Sequence, residues 1–333
     1  MTSSRIILFV SLALWLTSSC KKEESKDEIF TFPDRHPVFV KKSNTGGVAA
    51  WFRSATEGVA VRYGNNSSNA TLIVQTNDAG ATWSPVLEIP DQAPREMEFV
   101  PNSPVGYFTT WQALYRSADY GATWEKMYDT GSQWVSIGEL CVVSENIVLL
   151  GFDGKLNKST DGGQNWQPIK TFDPNSTDNM TALWFVNENQ GFIGYRYGAI
   201  ERSTDGGQTW QGSDSGFQDA IAQFFFTDSQ HGYASCLYRD YIVTTSDGGQ
   251  TWNSGNVTGR SSGFTRLWFD QAGKGLLTAR GNKVFYSTDA GKNCFLFLNA
   301  PSLNDDAGFI QATPDNTLWV GFSNSLYQVT FHL

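Results

Sequence analysis

The chain has 333 residues, 14% of them aromatic and only 17% charged, with 32 glycines and 12 tryptophans. Plentiful Gly and Trp with few charges suit an all-β repeat protein and exclude a disordered chain or a charged helical bundle. A formal net charge of −9 argues against a nucleic-acid-binding surface.

The first 20 residues read as a targeting segment. Arg5 precedes an apolar run over 6–16 that is too short to be a comfortable membrane span. The run ends Leu16-Thr-Ser-Ser-Cys20, which resembles a bacterial lipoprotein signal, with Leu four rather than three places before the Cys. That resemblance implies a lipidated Cys20, whose several acyl chains anchor a protein where one would not. It places the chain at the outer membrane of a Gram-negative bacterium, facing the periplasm or the cell surface. The polar, charged stretch that follows has no apolar period, so 21–35 is expected to be a disordered tether. From 36 to 333 no linker-like break divides the chain, so one domain is expected.

Within that domain one mark recurs. It reads Ser203-Thr-Asp-Gly-Gly-Gln-Thr-Trp210, with counterparts at 76–83, 117–124, 159–166, 245–252 and 287–294. Its aspartates are Asp78, Asp119, Asp161, Asp205, Asp247 and Asp289, at successive gaps of 41, 42, 44, 42 and 42 residues. A period near 42 with short apolar runs between marks is that of a four-stranded propeller blade. The chemistry of the mark is a turn: Asp accepts backbone N–H groups and Gly supplies positive φ. The Trp then returns to the core. The six aspartates are therefore read as structural. Blades are expected at 48–89, 96–128, 137–169, 181–210, 221–252 and 265–297. A seventh unit over 308–332 has three strands and no mark, and its missing fourth strand is the isolated run 37–42. The expected fold is all-β: a single seven-bladed propeller of four-stranded antiparallel blades, the last closed by the N-terminal strand, which removes exposed edges.

These marks resemble the Asp-box (BNR) repeat. The fuller unit of blade 4 has Gly191-Phe-Ile-Gly-Tyr-Arg-Tyr-Gly-Ala-Ile before its box. That layout resembles the photosystem II stability/assembly factor family. The resemblance implies a propeller that helps to assemble or stabilise another protein and does no chemistry. Fold alone does not fix function, so the loops carry the rest.

Strand direction puts the boxes and the 1–2 turns on one face and the 2–3 and 4–1 loops on the other. The second face carries Arg62, Arg95, Arg196, Arg239, Arg260 and Arg280, with Trp111, Trp134 and Tyr197 among them. Arg196 and Arg280 stand nine residues before their box aspartates and Arg239 eight before, so neighbouring blades offer guanidinium groups to one rim. Guanidinium geometry suits carboxylates and phosphates. This is the candidate partner-binding site. A protein partner in the envelope is expected, with no nucleic acid, no cofactor, no metal and a monomeric chain.

The alternative is a surface glycan-binding protein or a sialidase-like glycoside hydrolase, with Trp111, Trp134 and Tyr197 as stacking platforms. A sialidase needs an arginine triad, a Tyr nucleophile with a Glu partner and an acidic Asp. Its Phe-Arg-Ile-Pro element is absent, and no Glu follows Glu201, which sits beside a box and off the rim. Carboxylate pairs could still be drawn from Asp153, Asp178 and Asp219. His36, His231 and His332 lack zinc spacing. Cys141, Cys236 and Cys294, the last in the Trp place of the sixth box, read as small buried apolar residues.

Overall fold

The computed structural model describes residues 29–30, 37–43, 47–64, 67–132, 134–213, 216, 218–239, 241–254, 263–281, 283–299, 307–315, 317–322 and 325–331. Cys20, residues 21–28 and Arg260 lie outside the described residues.

Seven antiparallel sheets form the blades. Six have four strands in chain order, as in blade 2: Pro94–Phe99, Gly106–Thr110, Ala113–Ser117 and Glu125–Asp129. Blade 7 takes three strands from the end of the chain, Ala307–Ala312, Leu318–Phe322 and Ser325–Phe331. Its fourth is the N-terminal strand Pro37–Ser43, which pairs antiparallel with Ser325–Phe331 from Pro37↔Phe331 to Ser43↔Leu326. The ring is thus closed by joining both ends of the chain in one sheet. A two-residue strand, Ile29–Phe30, pairs with Val40 and Phe39 and makes this blade five-stranded. These two residues fall in the stretch read as tether, just where its charged run 21–28 gives way to Ile29-Phe30-Thr-Phe32.

The core is not one mass but seven apolar clusters, one at each blade-to-blade seam. The closing seam is of the same kind: Ala50, Phe52, Ala60, Leu72 and Val74 of blade 1 pack on Phe309, Trp319 and Leu326 of blade 7. One sequence device recurs along these seams. The inner strand ends in Phe and the second strand starts in Gly, as in Phe52/Gly58, Phe99/Gly106, Phe185/Gly191, Phe226/Gly232 and Phe269/Gly275. A Cβ on any of these glycines would lie 2.3–2.5 Å from the Phe ring. With no Cβ in the way, the ring lies flat, and in blades 1, 2, 5 and 6 it stacks on an aromatic of the preceding blade. Phe52 meets Trp319 at 4.1 Å, Phe99 meets Trp51 at 4.1 Å and Phe269 meets Tyr233 at 3.9 Å. The box Trp of the same blade then closes on the ring edge-on, as Trp210 does on Phe185 and Trp252 on Phe226.

The boxes fold as their sequence dictates. The Ser203 hydroxyl donates to Asp205 Oδ1 (2.8 Å) and accepts from the Gly207 N–H (2.9 Å). Thr209 gives Asp205 its backbone N–H (2.9 Å) and its hydroxyl (2.6 Å). The two residues after each aspartate have positive φ, whether Gly206 and Gly207 or the less permissive Ala79, Tyr120 and Ala290. In all six boxes the first of them donates to a 1–2 turn carbonyl of its own blade, as Gly206 does to Asn189. Box and turn therefore share one face, and the structural reading of the aspartates holds. Trp124, Trp166 and Trp210 each donate their indole N–H to the second box glycine. Cys294 in the sixth box points its thiol at the corresponding Gly291 carbonyl, 3.8 Å away. Cys141, Cys236 and Cys294 form no disulfide and are buried, as expected of small apolar residues.

Candidate functional site

The face opposite the boxes carries five of the eight exposed large apolar side chains among the described residues: Tyr63, Trp111, Trp134, Tyr197 and Tyr238. Trp134 is the extreme case, 87% exposed. Trp111, Trp134, Tyr197 and Tyr238 belong to connections at the far end of a blade, and Tyr63 lies near the end of strand Gly58–Gly64. Exposed aromatics gathered on one rigid face mark an interaction surface more often than scattered ones do.

Arginines sit on three of these rings. The guanidinium of Arg95 lies 4.8 Å over Trp111, that of Arg280 lies 4.9 Å over Tyr238, and that of Arg196 lies 6.0 Å from Tyr197. Such stacking fixes a long side chain while leaving its N–H edge to a ligand, at about 0.5–1 kcal/mol for exposed pairs. The Arg280–Tyr238 pair bridges the 2–3 loops of blades 6 and 5. The other two pairs each stay within one blade, so the structure gathers the predicted arginines as local pairs and not as one triad. Arg239 and Arg196 are exposed. Arg62 is half-buried, and desolvation lowers its pKa. Arg95 also faces inward: its charge acts on the enclosed carboxyls of Glu96 and Glu139, so it is less free for an outside anion than its sequence position suggests.

Two aspartates of this face are structural. Asp178 Oδ1 accepts the Tyr197 N–H (2.9 Å), and Asp219 Oδ2 accepts the Tyr238 N–H (3.2 Å). These are the same bond in consecutive blades, tying each 4–1 loop to the next 2–3 loop. Both carboxylates therefore give one oxygen to loop geometry.

Between blades 3 and 4 the face opens into a groove of about 540 Å³ lined by Phe152, Asp153, Lys155, Lys170, Phe172, Asp173, Asp178 and Tyr195. Sequence reasoning missed it. Glu201, set aside as lying off the rim, directs its carboxylate to this wall. It accepts the Tyr195 hydroxyl (2.6 Å) and pairs with Lys170 Nζ (2.8 Å). The arrangement places a Tyr beside a Glu, as a sialidase would. Burial first, then the Glu201 hydrogen bond and charge, drive the Tyr195 phenol far above its ordinary pKa. The phenol therefore keeps its proton and donates it to the Glu201 carboxylate, a contact that serves structure and that a nucleophile–base pair also uses. The signal that could have found this wall was the alternation of strand 3 in blade 4, which sends Glu201 and Ile200 to opposite sides.

A second omission is the channel wall. Glu96 and Glu98 alternate with Met97 and Phe99 in the inner strand of blade 2 and face the central channel with Glu139 of blade 3. Polar residues inside a run that should be inner strand were the available sign. Among the described residues no group of His, Cys, Asp or Glu is arranged to hold a metal ion.

The BNR/Asp-box repeat family matches residues 201–211. No curated protein sequence matches the chain. Solved structures do. "YCF48 bound to D1 peptide" superposes with a TM-score of 0.66 at 13% identity, covering 92% of this chain and 98% of that one. A streptogramin B lyase gives 0.67 at 11% identity, covering 92% and 97%. A GH74 xyloglucanase from Xanthomonas campestris gives 0.62 at 13% identity, covering 87% of this chain and 56% of its own. At such identities the likeness speaks for fold. The chain is an Asp-box β-propeller of seven blades, similar in fold to YCF48.

Proposed function

We propose that this chain is a non-catalytic propeller of the cell envelope, anchored through a lipid on Cys20, that binds a protein partner by its loop face. The observation that carries this reading is the set of arginine–aromatic pairs at Trp111, Tyr197 and Tyr238, on the face that also bears Trp134. Fixed aromatics and guanidiniums are the side chains in which binding energy concentrates at protein interfaces. The YCF48 structure, which holds a peptide, supports the same use of the fold. The chemistry selected is an acidic or carboxylate-bearing segment, since guanidinium groups stack on the exposed rings of this face. The test replaces Arg196, Arg239 and Arg280 together by alanine. Charge-assisted bonds of about 1.5–3 kcal/mol each imply a loss of partner by orders of magnitude, with melting little changed. Recovery of the envelope partner as from the parent protein, at low and moderate salt alike, would place the binding surface elsewhere.

The second reading is a glycan binder or glycoside hydrolase, favoured by the groove with Phe172 and Tyr195 in its wall and by the fold it shares with a xyloglucanase. The oxygen that Asp178 and Asp219 each give to a loop N–H weighs against an unengaged carboxylate pair there. A glycan array and a fluorogenic glycoside panel separate the two readings.

A further inference from the structure

We propose that blades 2 and 3 are joined at the channel by carboxylic acids standing where other blades carry amides, a proton-loaded seam that loosens when those protons leave. This is independent of what the loop face binds.

The inner strand of every blade has an edge turned to the channel, with no further strand to pair it. Side chains of the preceding blade take that place. Gln311 accepts the Phe52 N–H (2.7 Å) and donates to the Phe52 carbonyl (2.8 Å), joining blade 7 to blade 1. Gln223 accepts the Leu267 N–H (2.8 Å), joining blade 5 to blade 6. Between blades 2 and 3 the same work is done by glutamates: Glu98 accepts the Val142 N–H (2.7 Å) and Glu96 accepts the Leu140 N–H (2.7 Å).

The positions correspond. Glu98 is next to last in its inner strand, as is Gln311, and each accepts from the last residue of the following inner strand. Glu96 stands three before its strand's final Phe, as Gln223 does, and each accepts from two before the end of the next strand. A glutamine brings one acceptor and one donor group without charge. A glutamate brings the acceptor in either state and the donor only with a proton; the carboxyl-to-carboxyl bond from Glu96 of blade 2 to Glu139 of blade 3 requires one.

The surroundings favour that proton. Glu98 faces Glu96 on its own strand, the Cys141 thiol on the inner strand of blade 3, and Arg266 from the inner strand of blade 6. Glu96 faces Glu139, to which it is hydrogen-bonded, with Arg95 and Arg266 as the cations. Three carboxyls thus meet two guanidiniums, and Arg266 is partly spent on the carbonyls of Gly308 (3.2 Å) and Thr265 (3.0 Å). Enclosure by the wall, then the charge of Glu96, pushes Glu98 up to about 8. Enclosure likewise raises Glu96 and Glu139, which cannot both ionise at this range.

An acid raised in the folded state holds a proton that the unfolded chain releases. The seam's contribution to stability is therefore full near and below the ordinary carboxylate range and is lost as pH climbs through about 8. The experiment compares the parent with Glu96→Gln/Glu98→Gln in thermal melts between about pH 6 and about pH 9, with infrared spectra of the folded proteins. The parent is expected to melt progressively lower toward pH 9 and to show the carbonyl band of a protonated carboxylic acid near pH 6. The double variant should lose most of that slope, melt above the parent at pH 9 and lose the band. Gln311→Glu should import a new alkaline decline at the 7–1 seam, a check that stands even if the double variant folds poorly. An unchanged slope in the double variant, or a parent without the acid band at pH 6, would overturn the proposal.

Discussion

Replacing Trp252 by alanine probes the seam between blades 4 and 5 where its packing is most complete. The indole is 6% exposed. It meets Phe226 edge-on at 6.0 Å and 83°, Phe192 of the preceding blade at 6.0 Å and 86°, and Phe224 at 5.8 Å and 47°. Deleting it leaves a cavity walled by three phenylalanines that are held in place by their own strands and cannot collapse inward. Burial and cavity terms together give about 3–5 kcal/mol. For a chain of this size that corresponds to roughly 5–15 °C in melting temperature. Phenylalanine at the same position is the internal control. The Trp252 indole N–H has no hydrogen-bond partner, so Trp252→Phe loses only ring area and should cost much less. At Trp210 the same exchange also deletes the bond to the Gly207 carbonyl, adding about 0.5–1.5 kcal/mol. The assay is thermal unfolding followed by near-ultraviolet circular dichroism. If Trp252→Ala melts with the parent, or if Phe is as harmful as Ala there, the seam account of the core is wrong.

Closure and acid response give two further tests. Removing residues 1–43 takes away the strand Pro37–Ser43 that pairs with Ser325–Phe331. It should lower the melting temperature sharply, whereas removing 1–28 should do little; equal melting of the two truncations would refute closure by the N-terminal strand. In the boxes, hydrogen bonds from Asn165, Thr209 and Thr251 hold Asp161, Asp205 and Asp247 down to about 2. Their contribution to stability is present above the ordinary carboxylate range and is lost as pH falls toward 2. Asp205→Asn should therefore soften the acid transition, and a variant as acid-sensitive as the parent would count against the box hydrogen bonds as its cause.

The ring was legible in the sequence because one turn was written six times at one period, with φ, hydrogen-bond acceptor and Trp all specified locally. The closing strand was legible by subtraction, since 308–332 lacked a partner and 37–42 had none. The site was less legible, because side-chain pairing across loops depends on geometry that spacing does not carry. Arg280 was assigned to its own rim position, yet its ring partner is Tyr238 of the neighbouring blade. Arg95 was counted as an outward cation, yet it also acts on the channel carboxyls. Glu201 was judged by its distance along the chain from the box, although strand alternation turns it to Tyr195 and Lys170.

The seams and the loop face answer to different constraints, which is why a shared fold says so little about activity here. Every large fully buried side chain, from Trp319 to Phe285, sits in a seam cluster, while Arg196 and Arg239 of the rim are exposed. Loops can therefore be rewritten without disturbing the ring, and a lyase, a xyloglucanase and a peptide binder can share it. What separates such proteins must be read where the ring imposes nothing. In this chain that region presents guanidiniums stacked on exposed rings, aspartates tied to backbone N–H groups, and a groove tyrosine whose proton is held by burial and by Glu201. That arrangement supports recognition of a partner as the proposed use of the loop face.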